Sequence, residues 1–141
     1  MNENSSSFLL TKYRNYSIII IERVRKVNHY IYIDDIRDDD HWFNANLKRD
    51  EWMPHICRNY NKTIDLLFCI MISGESASFI LDLDHDLGEG NENNNEKTGY
   101  DICKWIVENH IPLVGFHIHS MNPVGSANMR QLLTHYGYKE I

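Results

Sequence analysis

The chain has 141 residues, 43% of them apolar and 24% charged, with a formal net charge of -6. That length suits one domain with its own core, and the acidic balance disfavours sequence-blind binding to nucleic-acid phosphates, stable duplex-DNA association included. No apolar run approaches the ~20 residues of a membrane span and no signal peptide is evident, so a soluble cytoplasmic protein is expected. Cys57, Cys69 and Cys103 show no C-x-x-C spacing, which fits reduced, packed thiols.

Residues 1–15 are expected to form a disordered lead-in and residues 16–141 a single domain. "YSIIIIERV" (16–24) and "NHYIYI" (28–33) are β-rich runs, an extra N-terminal strand followed by a core strand. The second run stops at Asp34-Asp35, and from Ile36 to Met53 the pattern is polar and irregular, a long loop with room for one short helix. "PHICRNY" (54–60) suits a strand. Asn61 is placed to cap a helix over "KTIDLLFCIMIS", in which Ile64, Leu67, Phe68 and Met71 recur at helical spacing and Gly74 can end the run.

"FILDL" (79–83) is the next strand, followed by a polar low-complexity loop, "GEGNENNNEK" (88–97). Thr98 opens a helix that puts Ile102, Trp105 and Ile106 on one side. "PLVGFHIHS" (112–120) is another strand, and Asn122-Pro123 is a cap and first-turn pair for a last helix. Strands alternate with helices and read as continuous apolar runs. That pattern predicts an α/β fold with a mostly parallel sheet covered on both faces.

Polar residues gather where strands stop. Asp34-Asp35 follows one strand, Asp84-His85-Asp86 a second and His119-Ser120 a third. In open parallel sheets the crevice beyond the strands' carboxyl ends is where ligands bind. Clustered carboxylates there repel unless a cation compensates, and Asp34, Asp35, Asp84 and Asp86 offer the oxygen ligands that Mg²⁺ or Mn²⁺ takes. Asp38, Asp39 and Asp40 read instead as solvated turn residues.

His117 and His119 share a strand face and form an H-x-H pair open to zinc, although the surrounding oxygen donors make zinc the less favoured ion. His119 is the candidate for proton transfer or phosphate contact, and His117 reads as a satisfied core histidine. Asp82, inside its strand, needs either a hydrogen-bonding partner or a supporting place behind the ligands of the site. Ser120 and Asn122 stand beside a helix N-terminus, a setting suited to a phosphate, although an ordinary N-cap accounts for Asn122 as well.

In order along the chain, "IDDIR", "LDHDLG", "TGYD" and "HSMNPVGSANM" resemble the motifs of the cyclic-phosphate-processing receiver domain, a divergent branch of the response-regulator receiver fold. The resemblance spans about residues 28–138. It implies a receiver-like (flavodoxin-like) three-layer sandwich. In ordinary receivers Asp34 and Asp35 would match the acidic metal pair, Asp84 the phosphoacceptor, Gly99 the glycine opening the next helix, and Ser120 the Ser/Thr ending the fourth core strand. No counterpart of the receiver's lysine after a fifth strand is evident, whereas His85, Asp86 and His119 are additions that suit a hydrolase better than a switch.

The resemblance thus implies a metal-dependent phosphoesterase acting on a nucleotide or RNA 3′ end that carries a cyclic phosphate. Asp34, Asp35, Asp84 and Asp86 would hold the ion. His119, Asp84, His85 and Ser120 would be catalytic, and Ser120, Asn122, Thr98 and Asn128 would contact substrate. Two other readings stay open: a non-catalytic protein that sequesters a cyclic nucleotide or RNA end, and a receiver controlled by phosphorylation of Asp84. Oligomeric state is not legible.

Overall fold

The computed structural model describes residues 26–38, 47–88 and 96–141. The lead-in and strand expected before residue 25, much of the 36–53 segment and most of the 88–97 loop lie outside the described residues. Among the described residues, four strands form one sheet: β1 (Val27–Ile33), β2 (Met53–Cys57), β3 (Ala77–Leu83) and β4 (Leu113–Ile118). Their order is β2-β1-β3-β4, and every neighbouring pair is parallel. Helices α1 (Tyr60–Ile72), α2 (Gly99–Glu108) and α3 (Pro123–His135) alternate with the strands, and a 3-10 turn lies at Arg49–Glu51. The fold is α/β with a parallel sheet flanked by helices, a receiver-like (flavodoxin-like) arrangement.

Topology determines which face the helices cover. From β2 to β3, β3 to β4, and β4 to the final residues, the chain steps the same way across the sheet. Right-handed crossovers then put α1, α2 and α3 on one face. There Ile31, Ile33, Leu81, Leu83, Phe116 and Ile118 pack with Leu67, Ile102, Ile106, Met129 and Leu133 in the main core. The opposite face presents Tyr30, Tyr32 and Ile80, packed by Leu47, Trp52 and Ile141. Beyond β4, Phe116 N–H donates to the Lys139 carbonyl at 2.9 Å and Ile141 N–H to the Phe116 carbonyl at 3.0 Å, so the last residues extend the edge in parallel.

Local chemistry shifts two expected boundaries. Asn59, not Asn61, caps α1: its backbone is extended and its side chain accepts the Lys62 N–H at 2.9 Å. The preceding strand ends at Cys57, and Arg58 and Asn59 link it to the helix that starts at Tyr60. α1 buries Thr63, Leu67 and Ile70, leaving Phe68 and Met71 exposed although their spacing suggested the core. α2 and α3 begin at the expected caps. Thr98 and Asp101 form a reciprocal capping box, and the Asn122 side chain accepts the Gly125 N–H at 2.8 Å ahead of Pro123. Cys57 and Cys103 are buried, whereas Cys69 is exposed.

One irregularity sets the geometry of the site. Between β3 and β4 the register slips, from Phe79 opposite Leu113 to Ile80 opposite Gly115, so Val114 is an extra residue in β4. Because side chains alternate, that residue reverses which face every later β4 side chain takes. Asp82 consequently stands opposite His117 rather than Phe116.

Candidate metal and phosphate site

β1 and β3 are adjacent, yet the chain leaves them in opposite directions across the sheet, β1 toward β2 and β3 toward β4. Such a reversal of strand order opens a crevice at the strands' carboxyl ends. Register sets Ile33 level with Leu83, and Leu83 level with Ile118. The next residues, Asp34, Asp84 and His119, form one row. Each is tied to the neighbouring strand by its backbone: Asp84 N–H to the Ile33 carbonyl at 2.9 Å, His119 N–H to the Leu83 carbonyl at 3.0 Å, and Asp34 N–H to the Cys57 carbonyl at 3.1 Å.

The two carboxylates are oriented alike. Asp34 Oδ1 accepts the backbone N–H groups of Ile36 at 2.9 Å and Arg37 at 2.5 Å, which turns the chain back over the site. Asp84 Oδ1 accepts the His85 N–H at 2.7 Å. Both Oδ2 atoms are left facing the same guanidinium: Arg37 Nε donates to Asp34 at 2.6 Å and Arg37 Nη2 to Asp84 at 2.8 Å. His119 Nε2 lies 3.2 Å from Asp34 Oδ2. Burial would raise the Asp34 carboxyl, but the N–H groups of Arg37 and Ile36 and the guanidinium outweigh it and hold it below the usual carboxylate value.

Beneath this row, Asp82 is 1% exposed. Its Oδ2 accepts the Tyr30 hydroxyl, and its Oδ1 is 2.8 Å from His117 Nδ1 and 2.5 Å from His119 Nδ1. An ionised carboxylate only accepts, so both Nδ1 atoms carry protons and donate. Burial opposes ionisation of Asp82, yet His117, His119 and Tyr30 bring its pKa down to about 2. Burial likewise disfavours a charged His119, but Asp82 more than compensates and its pKa is raised. The His119 ring also stacks on Tyr32, centroids 4.6 Å apart and planes 9° from parallel. With Nδ1 fixed on Asp82 and its face against Tyr32, His119 turns Nε2 toward the crevice.

Among the described residues, two sets of side chains bring ligand atoms within 4.8 Å of one another: Asp34, Asp84 and His119, and Asp82, His117 and His119. Both sets could hold a divalent cation, the second only once the Nδ1 protons donated to Asp82 have left. In the first, a guanidinium already draws the two carboxylate oxygens together.

The other expected residues fall elsewhere. Asp35 is half-buried against Gly88, where an added Cβ would lie 2.0 Å from Asp35 Oδ2, and it stands outside both donor sets. Asp86 is also outside them; its Oδ1 lies 2.8 Å from His85 Nδ1, and the Asn122 amide reaches it at 3.4 Å. His85, Asp86 and Asn122 thus form a neighbouring cluster at the start of α3, where the His85 ring leaves no room for a side chain at Gly125. Ser120 is beside it, its hydroxyl accepting the Asn122 N–H at 3.2 Å. Thr98 spends its backbone N–H and hydroxyl on Asp101, at 2.9 and 3.3 Å. Asn128 is exposed and lines a groove of about 400 Å³ with Tyr100, Gln131 and His135, none of which belongs to the donor sets.

Three participants carried no role in the sequence reading, Arg37, Tyr30 and Tyr32, whereas Asp82 has both the hydrogen-bonding partners and the supporting place expected as alternatives. His117, expected to be a satisfied core histidine, does have a buried partner, but its partner is the carboxylate that orients His119. The alternations Asp82/Asp84 and His117/His119 were visible in the sequence. Their apposition depends on the extra residue at Val114.

No helix among the described residues is long and apolar enough to cross a membrane. No curated protein and no solved structure matches the chain. The sequence model of the cyclic-phosphate processing receiver domain matches residues 29–135, well over half of the chain, and the protein therefore belongs to that family.

Proposed function

We propose that the protein is a metal-dependent phosphoesterase that opens a cyclic phosphate, either a 2′,3′-cyclic phosphate at an RNA end or a cyclic nucleotide. The observation that carries this reading is the convergence of Asp34 Oδ2, Asp84 Oδ2 and His119 Nε2 at the point where strand order reverses. The family's cyclic-phosphate processing and the two His/Asp donor sets are consistent with it.

Asp34, Asp84 and His119 would hold the ion: the carboxylate oxygens suit Mg²⁺ or Mn²⁺, and of the two Mn²⁺ better accepts the imidazole nitrogen. When bound, the ion neutralises charge on a phosphate oxygen and lowers the pKa of a water. The phosphate lies toward the start of α3, where Ser120, Asn122 and the helix N-terminus favour an anion. Water attacks phosphorus and releases a proton to solvent, one ring P–O bond breaks, and the departing oxygen takes up a proton. His85, bonded to Asp86, is placed beside that anion position to supply it.

The test is a panel of 2′,3′- and 3′,5′-cyclic substrates with and without Mg²⁺ or Mn²⁺. Asp84→Asn and His119→Ala are expected to lose about 100-fold or more of the metal-dependent turnover. Full activity of both variants would sink the assignment. Recovery of intact ligand after denaturation would favour a sequestering protein instead.

A further inference from the structure

Arg37 occupies the position that the proposed ion requires. Its Nε and Nη2 take the two carboxylate oxygens that are not held by backbone amides, Asp34 Oδ2 at 2.6 Å and Asp84 Oδ2 at 2.8 Å. A divalent ion bound to those oxygens would sit against the positive guanidinium, and like-charge repulsion favours displacing it. The backbone of this turn is braced independently of the side chain. Asp34 Oδ1 accepts the Arg37 N–H, and Arg58 Nη1 donates to the Arg37 carbonyl at 2.6 Å and to the Asp34 carbonyl at 3.2 Å. The Arg37 side chain is 47% exposed, whereas that of Asp34 is fully covered. Of the three groups, only the guanidinium has open solvent to move into.

We infer that Arg37 is an internal cation that closes the metal-free site and, displaced by the ion, becomes the arm that takes the substrate's phosphate. This rests on the reading that Asp34 and Asp84 hold a divalent ion. Two carboxylates and Arg37 leave the closed site with one net negative charge. A divalent ion neutralises both carboxylates, and the released guanidinium then contributes one positive charge, matching the single negative charge of a cyclic phosphodiester. A guanidinium donates in a planar fork that suits either a carboxylate pair or a phosphate. Ion and phosphate therefore bind with positive coupling. The ion frees the arm, and a phosphate that captures the arm prevents it from returning to compete with the ion.

The test is calorimetric titration of the full chain with Mn²⁺, alone and in the presence of inorganic phosphate, for the native protein and Arg37→Gln. Removing a competitor that makes two charge-assisted hydrogen bonds is expected to tighten Mn²⁺ binding by about tenfold or more. Phosphate is expected to strengthen Mn²⁺ binding more in the native protein than in Arg37→Gln. Should Arg37→Gln fail to fold, Arg37→Lys serves: a single ammonium cannot span both carboxylates in the same way, and tighter Mn²⁺ binding than native is again expected. Equal or weaker binding by the folded variant overturns the inference while leaving the metal site standing. Absence of Mn²⁺ binding by native protein and variant alike overturns both together.

Discussion

Asp82 orients the imidazole that completes the proposed metal set, and it does so from a position that water does not reach. An amide in its place would present an N–H₂ group to at least one of the donors it now accepts, leaving a buried hydrogen bond unmade. Asp82→Asn is therefore expected to lower both Mn²⁺ affinity and turnover by about 10- to 100-fold. Tyr30→Phe, which removes a single donor from the same carboxylate, is expected to cost less by both measures. A second histidine cluster lies outside this site: His29 Nδ1 and His55 Nε2 are 2.9 Å apart, and His29 Nε2 is buried without a partner. Burial lowers the pKa of both below their ordinary value of 6.5, and His29 lowers that of His55 further. Between the folded values and 6.5 the unfolded chain holds more protons, so the pair's contribution to stability falls as pH drops through that window. His119, with a raised pKa, acts in the opposite sense, so the comparison with a variant isolates the pair. Thermal melts from about pH 7.5 to about pH 5.5 should show a smaller acid-induced fall for His29→Phe than for the native protein. Parallel pH profiles would count against this account.

The elements meet at glycines whose neighbours differ in kind. An added Cβ at Gly99, the first residue of α2, would lie 2.0 Å from the Asp84 carbonyl and 3.0 Å from Met129 Sδ. Backbone cannot step aside, so Gly99→Ala is expected to destabilise by about 2–3 kcal/mol and to shift Asp84. At Gly125, in the first turn of α3, the obstacle is the His85 ring at 2.3 Å, a side chain that can rotate. Gly125→Ala is accordingly expected to stay within about 1 kcal/mol of native stability, since alanine suits a helix. Its turnover should nevertheless drop, because His85 must leave Asp86 and Asn122. Denaturant unfolding beside substrate turnover separates the two variants, and equal destabilisation of both would contradict this assignment. The register slip at Val114 acts on the same scale. A single extra residue in β4 brings His117 and His119 to the Asp82 face.

Across the whole molecule, the features legible in the sequence were those that repeat along the chain. Continuous apolar strands alternating with helices announced the parallel sheet, and acids or histidine at three strand ends announced the crevice. What stayed hidden depended on pairing between distant segments. The position of Asp82 opposite His117 follows from a bulge that no local periodicity marks. The role of Arg37 follows from a turn that Asp34 itself folds. Asp35 and Asp86 have the same charge and nearly the same chain position as Asp34 and Asp84. They diverge because strand backbone holds Asp34 and Asp84 in a row, whereas one residue or two beyond the sheet the chain has already turned away. The helix boundary moved for a related reason: Asn59 and Asn61 are equally good caps as residues, and the strand's end decided between them.

The backbone amides that hold Asp34 Oδ1 and Asp84 Oδ1 have a consequence for ion size. With one oxygen of each carboxylate engaged, each aspartate presents a single oxygen to a cation. Calcium takes six to eight oxygens and often gathers them two at a time from one carboxylate. A small ion that accepts one oxygen per carboxylate and fills its remaining places with water meets no such shortage. If Asp34 and Asp84 hold the ion as proposed, these amides, from the turn at Asp34 and from His85 at Asp84, would bias the site against calcium in favour of the smaller ions.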